Sequence, residues 1–493
     1  MEDVMEIQGD WLPPTLWHAK VFDGRWVAGS DVVDVVEPAT GQRLGQIGLA
    51  DAAAVGRACA AAAAAQPAWA ALPGGQRADV LRRAGELARA HAAEIAMWLT
   101  REAGSSRAKA AVEAAITATA LLEASQLPSG SQGEVLPSSG GRMSLARRRP
   151  VGVVGVIPPF NFPLYLAVRA VAPALALGNA VVLKPDPRTA VCGGAVIARL
   201  FEQAGLPAGL LQVLPGDGAA GAALTADPQV AAIQFTGSTA AGRKVGEACG
   251  RHLKKVSLEL GGKNPLLVLD DADLELAVNN AAWGSFLHQG QICMATGRIL
   301  VQRGLYDAFV DRLVAKVAQI RAGDPWADPQ VLVGPLINAA QRDHCHRIVQ
   351  AAVSAGAILA AGGQYQGLVY QPTVLAGVAA DNPAFGEEIF GPVAVVTPFD
   401  TDEQGIALAN DNEYGLSLGV ITGNIGRVLA FADRLQAGLL HINDQTVADD
   451  VVQPFGGVRA SGNGSSIGGP ANWEAFTQWQ WLTIKPQPTA YPI

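Results

Sequence analysis

Val151-Gly152-Val153-Val154-Gly155-Val156-Ile157 is an unbroken apolar run, closed by Pro158-Pro159. A strand with one wet face alternates apolar and polar residues, whereas a strand covered on both faces does not need to. The run therefore reads as a buried strand of a parallel sheet. Downstream the pattern repeats. A helix is expected over Pro163 to Ala176, a strand over Ala180 to Leu183 and a helix near Ala190 to Gln203. Then come a strand over Leu210 to Leu214, a helix over Gly218 to Thr225 and a strand over Val230 to Phe235. A helix from Ser238 to Cys249 and a strand from Val256 to Leu260 complete the series. Repeated βα units imply a doubly wound α/β sheet. A second α/β stretch runs from about Pro265 to 440.

Upstream, residues 20–49 read as short strands and turns. Asp51 to Ala71 and Gly75 to Ala103 read as alanine-rich helices broken at Pro73-Gly74-Gly75, with a further helix over Ser106 to Ser125. Residues 128–150 suggest two extended segments joined by a turn, ending in Arg147-Arg148-Arg149-Pro150. That triplet fits a solvated strand or an interface. The chain has 493 residues, 49% hydrophobic and 16% charged, which argues for folded domains. With 36 basic and 44 acidic residues the net charge is −8, so a broad nucleic-acid surface is not expected. No run is long and apolar enough to span a bilayer. Met1-Glu2-Asp3-Val4-Met5-Glu6 is acidic where a signal peptide is basic, so a cytoplasmic location is expected. The five cysteines form no CxxC or Cys/His cluster, so neither a disulfide framework nor a metal site is expected. His344 and His346 flank Cys345 and read as surface residues.

Several short motifs carry possible chemistry. Gly216-Asp217-Gly218-Ala219-Ala220-Gly221 matches GxGxxG after a strand and before a helix. The acidic residue expected after the next strand is replaced by Thr236-Gly237, so the motif reads first as a tight turn. Phe235-Thr236-Gly237-Ser238-Thr239 ends a strand and opens a helix, which suits either a phosphate or an ordinary cap. Lys184, at a strand's carboxyl end, is either a ribose ligand or a surface lysine. Cys293, in Gly290-Gln291-Ile292-Cys293, is either a nucleophile or an inert core thiol. Glu259 ends an apolar strand, where an acid is costly unless paired or working. Asn161, in Pro159-Phe160-Asn161-Phe162-Pro163, offers an oxyanion donor or a structural turn.

Taken in order, these pieces resemble the aldehyde dehydrogenase superfamily over nearly the whole chain. Glu259-Leu260-Gly261-Gly262-Lys263-Asn264-Pro265, Glu387-Glu388-Ile389-Phe390-Gly391-Pro392, Asn410-Asp411 with Tyr414-Gly415-Leu416, and Pro454-Phe455-Gly456-Gly457 extend the match. The 34-residue interval between Glu259 and Cys293 also resembles the family's. Leu287-His288-Gln289-Gly290-Gln291-Ile292-Cys293-Met294, Lys184-Pro185-Asp186-Pro187-Arg188-Thr189 and His441-Ile442-Asn443-Asp444-Gln445-Thr446 look like the benzaldehyde, vanillin and salicylaldehyde dehydrogenase branch.

The resemblance implies NAD(P)-dependent oxidation of an aromatic aldehyde to its acid, with other aldehydes as the alternative. Cys293 would be the nucleophile, Asn161 and the Cys293 N–H the oxyanion donors, and Glu259 the hydrolytic base. The retained Glu259 argues against a CoA-acylating enzyme. The cofactor would be NAD, or else NADP. It would meet Ile157, Pro158, Pro159, Lys184, Pro187, Gly216, Phe235, Gly237, Ser238, Leu260, Glu388 and Phe390. Pro187 stands where many NAD-preferring members carry a glutamate, and Asp186 is a substitute carboxylate. The substrate pocket would comprise Phe162, Leu166, Arg169, Ile292, Met294 and Phe455. Phe162, Leu166 and Arg169 fall on one helical face, and Arg169 would either meet a ring substituent or pair with an acid. The implied fold is α/β: a Rossmann-type cofactor domain (1–132 and 151–260), an α/β catalytic domain (261–460) and a small β oligomerisation flap (133–150 and 470–493). Trp479 and Trp481 would share one face of the flap, consistent with a homodimer or homotetramer. A cofactor-free thioester or ester hydrolase, and a non-catalytic binding protein on the same fold, are the competing readings.

Overall fold

The computed structural model describes residues 9–492, so the reading of Met1–Glu6 and the last residue of the flap lie outside it. Its centre is the strand Val153–Ile157, buried at every position. Val230–Thr236 and Ala180–Leu183 pair with it in parallel on its two sides. Lys255–Glu259 joins beyond the first and Leu211–Val213 beyond the second, both parallel. The hairpin Lys20–Phe22 and Trp26–Ala28 completes this sheet antiparallel, outside Leu211–Val213. The chain thus builds outward on one side of Val153–Ile157, then returns to build on the other. At such a reversal a crevice opens beyond the carboxyl ends of the strands.

A second seven-stranded sheet runs Ile358–Ala361, Thr373–Ala376, Val393–Phe399, Thr296–Gln302, Asn264–Val268, Ser417–Ile421, Leu439–Ile442. Only its edge strand Ile358–Ala361 is antiparallel. Two apolar cores cover the two faces of this sheet. The largest core covers the first sheet and extends to Ile292, Met294 and Phe455, so the segment bearing Cys293 is packed against the first sheet's interior.

The third sheet is antiparallel. Met143–Pro150 pairs with Thr477–Ile484 on one side and Gly133–Leu136 on the other. Trp479 and Trp481 share a face and are 49% and 68% exposed. The basic triplet lies in this sheet: Arg147 bonds Gln480, and Arg148 pairs with Glu474 and stacks 4.1 Å over Trp479.

Two helices differ from expectation. Gly75 to Ala103 is not continuous: Gly74–Ala90 and Ala92–Ala103 break at His91, whose ring stacks 4.6 Å from Trp11. The Ala190 to Gln203 helix opens as a wide-turned π segment, Val191–Ala195, before α geometry resumes at Val196–Gln203. Glu102 explains the opening, because its buried carboxylate accepts from the N–H groups of Val191 and Cys192.

Candidate active site

Beyond the carboxyl ends of the first sheet lies a cleft of about 1210 Å³. Ile157, Pro158 and Pro159 floor it where the central strand ends, and Asn161 and Cys293 stand at one end. Lys184, Phe235, Gly237, Ser238, Leu260, Glu388 and Phe390 also line it. Pro187 and Gly216 are not among the residues lining it. The Gly216 carbonyl accepts from Lys184 Nζ at 2.6 Å and so sits behind the lysine. Pro187 starts a 3-10 turn, and Asp186 and Arg188 on either side line the cleft.

Each lining group has a local cause. Ser238 caps the helix Thr239–Arg251 by accepting from Ala241 N–H, leaving the positive helix end toward the cleft. Gly237 lies so close to the Phe235 ring that a Cβ would come within 2.7 Å of it. Lys184 is buried, and burial pulls its ammonium below the usual lysine range, with Asp186 and Asp217 opposing. One of its three N–H groups serves Gly216, so two remain. Glu388 Oε1 accepts from Gly262 N–H at 3.0 Å. Burial pushes its carboxyl up to about 7, with that N–H and Lys263 opposing. Arg188 holds both Asp186 oxygens and stacks 4.4 Å over Phe160.

Sequence reasoning missed Arg188, Gln341 and His344 as lining residues. Gln341 Nε2 donates to the carbonyls of Ile389 and Phe390, and His344 bonds the Glu388 carbonyl. Phe390 has φ +51, a left-handed conformation costly for an aromatic residue. These contacts hold it there. The signal available in the sequence was His344 itself, which was read as surface.

Cys293 is presented by a strained turn. His288, Gln289 and Gly290 are all left-handed, with φ +48, +57 and +66. Gln289 pins the turn by donating to the Gly104 and Pro335 carbonyls at 2.8 and 2.9 Å. Such strain persists only where surrounding contacts over-determine it. Cys293 itself is partly exposed. Burial of its sulfur, then the charges of Glu388, Glu259 and Asp449, push the thiol up to about 12. Asn161 is buried, and its Nδ2 donates to the Gln291 carbonyl at 2.8 Å, leaving its second N–H.

Glu259 ends the strand Lys255–Glu259 and is 3% exposed. Neither of its oxygens makes a hydrogen bond of good geometry among the described residues, the Gly457 N–H being the nearest donor to act on it. Burial raises its carboxyl well above the usual range, with Arg169 and the Gly457 N–H opposing and Asp449 reinforcing the rise. An unpartnered buried acid costs free energy, which is the expected signature of a group kept for chemistry.

The proposed pocket residues separate into two kinds. Phe162, Leu166, Ile292, Met294 and Phe455 belong to one apolar cluster with Cys293. Arg169 does not end free in it. Its guanidinium pairs with Asp449, donates to Tyr165 Oη at 3.0 Å and stacks 4.8 Å from Phe455. Between the two readings of Arg169, pairing with an acid is the one observed. No cluster of metal-ligating side chains occurs among the described residues.

A family profile described as "Aldehyde dehydrogenase family" matches residues 26–482. The chain is 56% identical to a vanillin dehydrogenase of an Amycolatopsis species, over 97% of this chain and 98% of that one. It is 49% identical to a benzaldehyde dehydrogenase [NAD(+)] of Pseudomonas putida, with the same coverage. A solved P. syringae indole-3-acetaldehyde dehydrogenase mutant in complex with NAD+ and IAA superposes with a TM-score of 0.91 at 34% identity, covering 95% of this chain and 97% of that one.

Proposed function

The chain belongs to the aldehyde dehydrogenase family, and from that premise we propose that it oxidises aromatic aldehydes of the benzaldehyde type to carboxylic acids through Cys293. The observation that carries this reading is the position of Cys293. It lies where the cleft meets an apolar cluster holding the rings of Phe162 and Phe455. A flat apolar slot with few polar groups suits a ring. The names of the two curated relatives agree with it.

In this reading Cys293 Sγ attacks the aldehyde carbon, and the electron pair of the C=O bond moves to oxygen. Asn161 Nδ2 and the Cys293 N–H donate to that oxyanion, where charge develops and donors help the rate most. NAD or NADP, held in the cleft by the residues below, would supply the hydride acceptor. Loss of hydride from the carbon leaves a thioester on Cys293. Glu259 then takes a proton from water, whose oxygen attacks the thioester carbon, and the acid leaves as the sulfur is released.

The cleft residues fit a dinucleotide. Lys184 has spare donors for ribose hydroxyls, the capped helix end at Ser238 suits a pyrophosphate, and Glu388 Oε2 is a spare acceptor for the second ribose. NAD is the cofactor of this reading, with NADP the second choice. Arg188 neutralises Asp186, so the cleft carries no bare carboxylate there to repel a 2′-phosphate. We further assign 1–132 with 151–260 to cofactor binding, 261–460 to catalysis, and 133–150 with 470–493 to pairing of subunits. The exposed Trp479 and Trp481 favour a homo-oligomer. A reducing cytoplasm suits five cysteines that are all free.

The test is a panel of benzaldehyde, vanillin, salicylaldehyde and hexanal, each with NAD and NADP, followed by reduced-cofactor absorbance. Faster turnover of the ring aldehydes is expected. A clear preference for hexanal would reject the aromatic assignment.

A further inference from the structure

A polar network stands against the Phe455 ring, in the apolar cluster that also includes Cys293. Asp449 Oδ2 accepts from Tyr165 Oη at 3.1 Å and from the Arg169 guanidinium. Arg169 is further tied to the backbone carbonyls of Asp450, Gln453 and Ile467. Tyr165 and Arg169 are 4% and 5% exposed, so this network is built into the fold. The helix Pro163–Ala176 supplies both, one turn apart, directly after the Asn161 turn.

Asp449 differs from its partners. Its side chain is 13% exposed, and Oδ1 receives no donor among the described residues. Arg169 and Tyr165 hold one carboxylate oxygen in place and leave the other able to accept. Val447 and Val451, on either side of Asp449, pack against the same apolar cluster as Cys293, Phe162 and Leu166. The Asp449 charge reaches both Cys293 and Glu259, although it bonds neither. A carboxylate acceptor with a free oxygen, set beside apolar side chains, disfavours a ligand that offers it no donor.

Resting on the aromatic-aldehyde reading above, we propose that Asp449, held by Tyr165 and Arg169, is a specificity-determining residue that accepts a hydrogen bond from a ring hydroxyl on the side remote from the aldehyde. The substrate class is then the benzaldehydes with a free hydroxyl at the meta or para position. A hydroxyl ortho to the aldehyde lies at the thiol end of the ring and gains nothing from Asp449.

The experiment compares kcat/KM for benzaldehyde and its 2-, 3- and 4-hydroxy derivatives in the wild type, Asp449→Asn and Tyr165→Phe. Each variant is read as a ratio to its own benzaldehyde value, so a general loss cancels. In the wild type the 3- or 4-hydroxy aldehyde is expected to exceed benzaldehyde by roughly 10- to 100-fold, the worth of a hydrogen bond to a charged acceptor. Asp449→Asn is expected to remove most of that advantage and Tyr165→Phe part of it. The 2-hydroxy ratio is expected not to move. Should Asp449→Asn fail to fold, inhibition of the wild type by 4-hydroxyacetophenone and by acetophenone decides instead, the hydroxylated ketone being expected to bind more tightly. A wild type without hydroxyl preference, or a preference untouched in Asp449→Asn, overturns the role of Asp449 and leaves aromatic oxidation standing. A wild type that oxidises hexanal but none of the ring aldehydes overturns the aromatic reading itself.

Discussion

Lys109 Nζ donates to the backbone carbonyl of Asn161 at 2.7 Å, in a buried setting. Lys109 also meets Glu113 Oε2 at 2.5 Å, and both side chains are at most 1% exposed. Glu113 Oε1 in turn accepts from the N–H groups of Leu164 and Tyr165, the first turn of the helix that follows Asn161. One ion pair thus fixes both the turn carrying Asn161 and the helix carrying Tyr165 and Arg169. Lys109→Met leaves Glu113 buried and unpaired. Stability is expected to fall by about 3–5 kcal/mol, the usual cost of breaking such a pair. Lys109→Met/Glu113→Gln is expected to lose less. Thermal melts of both variants check this, with kcat expected to fall more than KM changes.

Removing one oxyanion donor by Asn161→Ala is expected to lower kcat by about 10²- to 10³-fold. Steady-state kinetics with benzaldehyde measure it. A change confined to KM would place Asn161 in binding only.

The pH dependence follows from two raised groups. In the proposed mechanism Cys293 and Glu259 act as thiolate and carboxylate, and both are pushed up, chiefly by burial. Activity should therefore rise with pH, toward the alkaline side. Asp449 adds to both upward shifts, so Asp449→Asn removes a negative charge and should bring the ascending limb to lower pH. Profiles of kcat/KM for benzaldehyde, wild type against variant, read the direction.

Arg188 and Asp186 neutralise each other at the cleft wall. Arg188→Ala exposes the carboxylate, which should repel a 2′-phosphate and raise the NAD over NADP preference. Asp186→Ala frees the cation and should shift it the other way. The two ratios of kcat/KM, moving in opposite senses, are the check.

The strands of the first sheet were readable because apolar runs between turn residues have few other uses, and Val153–Ile157 and Ala180–Leu183 sit within two residues of expectation. Cys293, Glu259 and Asn161 were readable as motifs, each set at a turn or strand end. What could not be read was long-range pairing. Arg169 and Asp449 stand 280 residues apart along the chain, and nothing local in either announces the other. Lys109 and Glu113, at i and i+4, look like any exposed helical pair, because burial is a property of the neighbours. The break at His91 needed Trp11, about 80 residues upstream, to hold it. The motif at Gly216 could be read as a tight turn, but not that its carbonyl would anchor Lys184, 32 residues upstream.

The decisive measurement is one turnover of Glu259→Gln with benzaldehyde and NAD, followed by reduced-cofactor absorbance and intact protein mass. Removing the hydrolytic base should leave acylation and hydride loss intact and stop the cycle at the thioester. The expected result is a burst of about one equivalent of reduced cofactor per active site, then a stall, with one benzoyl group on the protein that is absent in Cys293→Ala. Sustained turnover without an adduct, or an adduct that survives in Cys293→Ala, would contradict a covalent route through Cys293.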